Sequence, residues 1–286
     1  MKNKRKKIIL LILLSLLIFW LLQARRTMKF RESDDVAKKE FDSLGIVLTT
    51  KTIHAGKFNL HYVQVGNDTM PTLFFVHGSP GSWNVFKRYL QDKDLLAKYR
   101  MVSVDRPGFG YSEFNHAMNL QDQTVIIDCL LRLIQNKKSI FLIGHSLGGP
   151  LIVNLALNDP SLVSGLVVLA GSLDPDAEKP ERWRPALFKT PLNYFVPGAW
   201  RPSNEELWYL KADLKRLDKR LDQIKCPIWL MHGTKDDLVP FSNVAYAKEK
   251  FMNSKMEVKV LPDANHFIPW THFLDIKEVL LSLSPQ

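Results

Sequence analysis

Between Ser139 and Leu157 an apolar segment (Ile140, Phe141, Leu142, Ile143) passes through Gly144-His145-Ser146-Leu147-Gly148-Gly149 into a second apolar run from Leu151 to Leu157. Strand, tight turn and helix is the order these patterns predict. Glycines two residues before and two residues after Ser146 stand where a side chain would collide as a strand reverses sharply into a helix. Such a turn lifts the serine hydroxyl clear of the sheet. It also leaves the first N–H groups of the helix without intrahelical acceptors, able to receive an oxyanion.

Two further turns follow short apolar strands. Thr72–Val76 ends in His77-Gly78-Ser79-Pro80-Gly81-Ser82, and Tyr99–Val104 ends in Asp105-Arg106-Pro107-Gly108-Phe109-Gly110-Tyr111-Ser112. With the G-x-S-x-G turn around Ser146 they resemble the α/β-hydrolase superfamily, in its serine hydrolase, esterase/lipase-like branch. The resemblance implies an α/β fold: a mostly parallel central sheet, helices on both faces and a short lid between the sixth and seventh strands. It implies Ser146 as nucleophile, with the N–H groups of Ser79 and Leu147 as the oxyanion hole. The run from Asp105 is structural in that family, and Asp105 precedes the serine whereas the family's order is serine, acid, histidine.

The acid and the base are sought downstream. Pro227–Met231 reads as a strand followed by Gly233-Thr234-Lys235-Asp236-Asp237-Leu238-Val239-Pro240, where the family presents its acid, so Asp236 takes that role, with Asp174 after the sixth strand as the alternative. Met256–Leu261 reads as the last strand, and His266 on the loop after it is the candidate base. His272, six residues on, is its competitor; the family has glycine before this histidine where this chain has Asn265. His77 and His232 precede glycines at strand ends and are expected to orient loops, and His145 is expected to aim away from the site.

Residues 171–203 carry six prolines interleaved with aromatics and form the expected lid. Trp183, Phe195 and Trp200 either line a substrate pocket or pack the lid onto the core. Two amphipathic helices complete the scaffold. One spans Leu120–Ile134 with Val125, Ile126, Cys129, Leu130 and Leu133 on its apolar face, and the other spans Asn204–Ile224, capped by Ser203 with Glu206 three residues on. Cys129 and Cys226 read as small core residues, not a disulfide or a metal site, and the chemistry calls for neither metal nor organic cofactor.

Composition matters chiefly for where the charge lies. The net charge is +10, but residues 1–31 hold nine Lys/Arg and no acid, which leaves +1 for residues 32–286 and no nucleic-acid role. Five of those basic residues precede an apolar run, Ile8–Leu22, whose 15 residues span about 22 Å as a helix against a hydrocarbon core of about 30 Å. No small-residue pair suits a signal peptidase, since Leu22 occupies the −3 position before the one candidate, Ala24. Residues 1–31 are therefore expected to be an uncleaved membrane signal anchor, the alternative being a cleaved export signal; 32–45 are a linker and 46–286 the catalytic domain, outside the cytoplasm.

The reading that results is a membrane-anchored serine hydrolase cleaving a small or acyl carboxylic ester through an acyl-enzyme. Peptidase, thioesterase and carbon–carbon bond hydrolase chemistry fit the same scaffold, because a fold does not fix a substrate. A non-catalytic ligand-binding protein would have no need to keep every one of these groups. Serine at the elbow argues against epoxide hydrolase and haloalkane dehalogenase relatives, which the resemblance gives an aspartate there.

Overall fold

Short, uniformly apolar segments have two faces to bury, and a parallel sheet covered by helices on both sides satisfies them. The computed structural model, which describes residues 2–284, contains one eight-stranded sheet of order β1-β2-β4-β3-β5-β6-β7-β8. The strands are β1 Thr49–Ala55, β2 Phe58–Val65, β3 Thr72–Val76, β4 Arg100–Val104, β5 Ile140–His145, β6 Gly165–Leu169, β7 Ile228–Gly233 and β8 Met256–Leu261. β2 pairs antiparallel with both β1 and β4, and every pairing from β4 to β8 is parallel. Met1, Pro285 and Gln286, the outermost residues of the expected anchor and catalytic domain, lie outside the described residues.

Alternation along the strands divides the core in two. Phe74, Val76, Leu142, Val168 and Leu230 face one layer. Leu73, Phe75, Phe141, Ile143, Val167, Leu169 and Met231 face the other. The segment expected as a linker carries the helix Asp34–Ser43, whose Ala37 and Phe41 are fully buried in the second layer.

The helix Leu120–Ile134 has the expected bounds but a different buried face. Val125, Cys129 and Leu133 are exposed; Leu120, Gln123, Thr124, Ile127, Leu131 and Ile134 turn inward with Ile126 and Leu130. Polar partners cause the rotation: Thr124 Oγ1 accepts from Asn154 at 2.9 Å, and Gln123 belongs to a buried polar cluster described below. Cys129 is thus corrected from core residue to surface residue, while Cys226 packs partly buried against the core.

Between β6 and β7 lie a short helix Arg184–Phe188, a 3₁₀ turn Pro191–Phe195 and a long helix Trp200–Asp218. The long helix starts earlier than expected and ends sooner, so Ser203 and Glu206 sit inside it and do not form a capping box. Both are buried, and both bond into the sheet-end turns. Leu210, Leu214 and Leu217 anchor the helix to the core, each side chain contributing about 1.5–3 kcal/mol by burial.

Glycine permits backbone to approach backbone closely around the turn at Ser146. A Cβ on Gly148 would stand 2.3 Å from the Val76 carbonyl oxygen, and one on Gly144 would stand 2.3 Å from that of Gly148. Backbone cannot swing aside as a side-chain tip does, so Gly148→Ala is expected to lower stability by about 2 kcal/mol or more in urea unfolding. An unchanged midpoint would contradict this packing.

Candidate active site

Every sequence-predicted reactive residue follows the carboxyl end of a parallel strand, where open α/β sheets gather their ligands. Ser146 follows β5 directly and has φ 55°, a left-handed conformation that costs a non-glycine residue about 1–3 kcal/mol. Hydrogen bonds on both sides hold it: its N–H donates to Leu169 O at 3.0 Å, and its carbonyl accepts from Gly149 N–H at 2.9 Å. The helix Gly148–Asn158 begins at once behind it.

The loops after β7 and β8 are stitched together. Lys235 N–H donates to Ala264 O at 2.9 Å and Thr234 N–H to Leu261 O at 3.1 Å. Asp236 and His266 meet as a result, with Nδ1–H of the histidine donating to Oδ2 at 2.7 Å. Oδ1 accepts from Leu238 N–H at 3.0 Å and Val239 N–H at 2.8 Å. Burial by itself would raise the Asp236 carboxyl, but the hydrogen bond and charge of His266, the Val239 N–H and His232 outweigh it and hold the group below its ordinary value. An Nδ1–H bound to carboxylate leaves the lone pair on Nε2, the atom a general base needs. The neighbouring candidates are elsewhere: Asp237 is exposed, Asp174 accepts from Asp176 N–H, and His272 pairs with Thr271.

His145 does not aim away, contrary to expectation. Its ring lies 4.8 Å from that of His266, centroid to centroid, and Nε2–H donates to the His266 carbonyl at 3.0 Å, so the residue beside the serine carries the loop of the base. Burial, reinforced by the His266 charge, pushes His145 down to about 3 and keeps it neutral. Ser146 Oγ makes no hydrogen bond among the described residues, as is common before substrate tightens a site.

The turn after β3 presses on the same serine, since a Cβ on Gly78 would come within 2.8 Å of Ser146 Cβ. Among the described residues, neither Ser79 N–H nor Leu147 N–H donates to a protein acceptor. Trp183, Phe195 and Trp200, by contrast, are 52%, 57% and 47% exposed, so none of the three is buried in the core.

The family model for the alpha/beta hydrolase fold matches residues 71–197. The pimeloyl-[acyl-carrier protein] methyl ester esterase of Vibrio campbellii is 35% identical over 126 residues, covering 44% of this chain and 45% of that protein. Epoxide hydrolase 1 of Caenorhabditis elegans is 31% identical over 121 residues, 41% of this chain and 29% of that protein. These matches span less than half the length of the curated relatives. A crystal structure of a bacterial membrane phospholipase A superposes with a TM-score of 0.61 at 17% identity, covering 99% of this chain and 100% of that one. The chain has the α/β-hydrolase fold.

The fold also carries a polar cluster that sequence reading missed. Arg106 is fully buried, and its guanidinium forks onto Glu206, Nη1 to Oε2 and Nη2 to Oε1, each at 2.9 Å. Nε–H donates to His77 O and Nη2–H to Gly78 O, both at 2.9 Å, and Nη1–H donates to Gln123 at 2.7 Å. His77 fixes the other side, donating from Nδ1 to Gly78 O at 2.7 Å and accepting Arg106 N–H on Nε2 at 3.0 Å. Ser79 Oγ donates to Ser203 Oγ at 2.8 Å. The turn that presents Ser79 N–H is thus built by a salt bridge between residues 100 apart, with Glu206 on the helix after the insertion. The one sequence signal was a glutamate on the apolar side of an amphipathic helix. Removing one partner of a buried pair strands the other's charge, so Glu206→Ala should lower stability by about 3–5 kcal/mol in denaturant unfolding, with Glu206→Gln less damaging.

Proposed function

We propose that this hydrolase cleaves carboxylic esters through an acyl-enzyme on Ser146. The observation that carries the reading is the 2.7 Å His266–Asp236 bond, which leaves Nε2 as a base on a loop tied to the residue next to the serine. Serine hydroxyl is a weak nucleophile at neutral pH and needs such a base. Ser146 Oγ attacks the acyl carbon as His266 Nε2 takes its proton; the oxyanion sits between Ser79 N–H and Leu147 N–H. The imidazolium, stabilised by Asp236, gives its proton to the departing alcohol. Water then attacks the acyl-enzyme, His266 takes and returns a proton in the same way, and the acid is released with Ser146 restored.

Likeness to a methyl ester esterase favours an ester over an amide, and serine at the elbow favours acyl transfer over epoxide opening. Thioesters, peptides and carbon–carbon bonds remain chemistries of the same scaffold. Residues 1–31 act as an uncleaved signal anchor: the helix Lys2–Thr27 contains an apolar span, Lys4–Ala24, whose 21 residues rise about 32 Å. It is longer than the run counted from sequence because the flanking residues are also helical, and it matches a hydrocarbon core of about 30 Å. Trp183, Phe195 and Trp200 are assigned to substrate contact at the edge of the site.

Ser146→Ala should reduce kcat on a water-soluble acetate ester by about 10⁴-fold or more, and His266→Ala comparably. His272→Ala should stay within a few-fold of wild type. The reverse order for the two histidines would mean that the base is His272.

A further inference from the structure

Only four residues separate the end of the apolar span from the insertion. Met28 N–H donates to Ala24 O at 2.9 Å, so the N-terminal helix geometry continues to Met28, and Met28 O accepts from Ala199 N–H at 2.7 Å. The approach is backbone against backbone: a Cβ on Gly198 would lie 2.1 Å from Met28 O and 2.9 Å from Lys29 N. The next residues stay docked, Phe30 ring to ring with Trp200 at 6.2 Å, Phe30 O accepting from Ser82 Oγ at 2.5 Å, and Arg31 donating to Gly110 O at 3.0 Å.

Four helical residues rise about 6 Å. The headgroup layer on each side of a bilayer is itself about 5–8 Å thick. If Lys4–Ala24 fills the hydrocarbon, the start of the long helix at Ala199–Trp200 lies within the headgroups, and what surrounds it must suit that medium. Trp183, Leu192, Tyr194, Phe195 and Trp200 expose their apolar surface there. Residues 179–201 also carry five Lys/Arg and one Glu, and Lys29 and Arg31 adjoin them. Tryptophan and tyrosine among basic side chains is the composition of a membrane interface, and water alone gives no reason to leave these rings uncovered.

We infer that the β6–β7 insertion rests in the headgroup layer of the membrane that holds Lys4–Ala24, and that the substrates of Ser146 are acyl-ester lipids of that bilayer. Ser203, one helical turn past Trp200, bonds the Ser79 turn, so a lipid raised at this edge meets the elbow within one turn of helix. The inference rests on the ester-hydrolase reading for its chemistry and on the helix docking for its location, and the two can be tested apart.

The full-length protein is reconstituted in phosphatidylethanolamine–phosphatidylglycerol vesicles, intact mass confirming that residues 1–24 are retained. A polarity-sensitive fluorophore is attached at Tyr194→Cys in a Cys129→Ser background, and at native Cys129 as a reference. A blue shift and quenching by headgroup-labelled lipid at position 194, and neither at 129, is expected. Leu192→Ser with Tyr194→Ser should lower hydrolysis of vesicle phospholipid about tenfold or more while leaving the soluble acetate ester unchanged. A water-like spectrum at 194 in protein that co-sediments with vesicles overturns the inference, as do loss of the first 24 residues and equal effects on both esters. Wild-type protein that inserts position 194 but hydrolyses neither ester overturns the ester-hydrolase reading and the substrate assignment with it, and leaves the seat on the bilayer supported.

Discussion

Backbone touching backbone around Ser146 is the constraint from which the site follows. Three segments, the ends of β3 and β5 and the start of the helix Gly148–Asn158, approach so closely that Gly78, Gly144 and Gly148 cannot carry a Cβ without a contact under 3 Å. Ser146 accepts a left-handed backbone at the centre of that crowding. The same crowding presses the β3 turn at Gly78 against Ser146, and His145 beside the serine is bonded to the carbonyl of His266. Strain at the serine, about 1–3 kcal/mol, is small beside the packing that enforces it.

A second layer of control is electrostatic. Arg106 brings a full charge into the core and satisfies it with Glu206, Gln123 and two carbonyls of the β3 turn, so the position of Ser79 is coupled to a helix that begins in the insertion. Breaking such a pair is costly even where the pair itself adds little net stability, which makes it a device for fixing one arrangement. The buried histidines act as neutral struts. His77 and His145 are both held well below their ordinary range, chiefly by burial, so His77 keeps a donor and an acceptor with fixed partners, and His145 its donor to the His266 carbonyl, as the pH varies around neutrality.

Local chemistry was legible in the sequence and distant pairing was not. Thr72–Val76 and Leu120–Ile134 are strand and helix within the bounds that periodicity predicts, and the turns at 77–82, 144–149, 234–240 and 262–267 are marked by glycine, proline and asparagine. Those signals are written in neighbouring residues. Arg106 and Glu206 lie 100 positions apart, and nothing in either segment names the other. The rotated face of Leu120–Ile134 has the same origin: counting apolar residues alone misses Gln123 and Thr124, which turn inward because buried partners await them. Ser203 and Glu206 looked like a helix cap for the converse reason, a local pattern whose real partners are tertiary.

These features describe an α/β-hydrolase fold whose candidate site is densely packed and whose outer edge is apolar, aromatic and tied to a helix long and apolar enough to span a bilayer. The proposed chemistry requires Ser146 to be a nucleophile activated by His266. Incubating the folded full-length protein with a fluorophosphonate and mapping the adduct by peptide mass spectrometry tests this most directly. A single covalent adduct on Ser146, lost in His266→Ala, is the predicted result; a folded protein left unlabelled, or labelled at another serine, would contradict it.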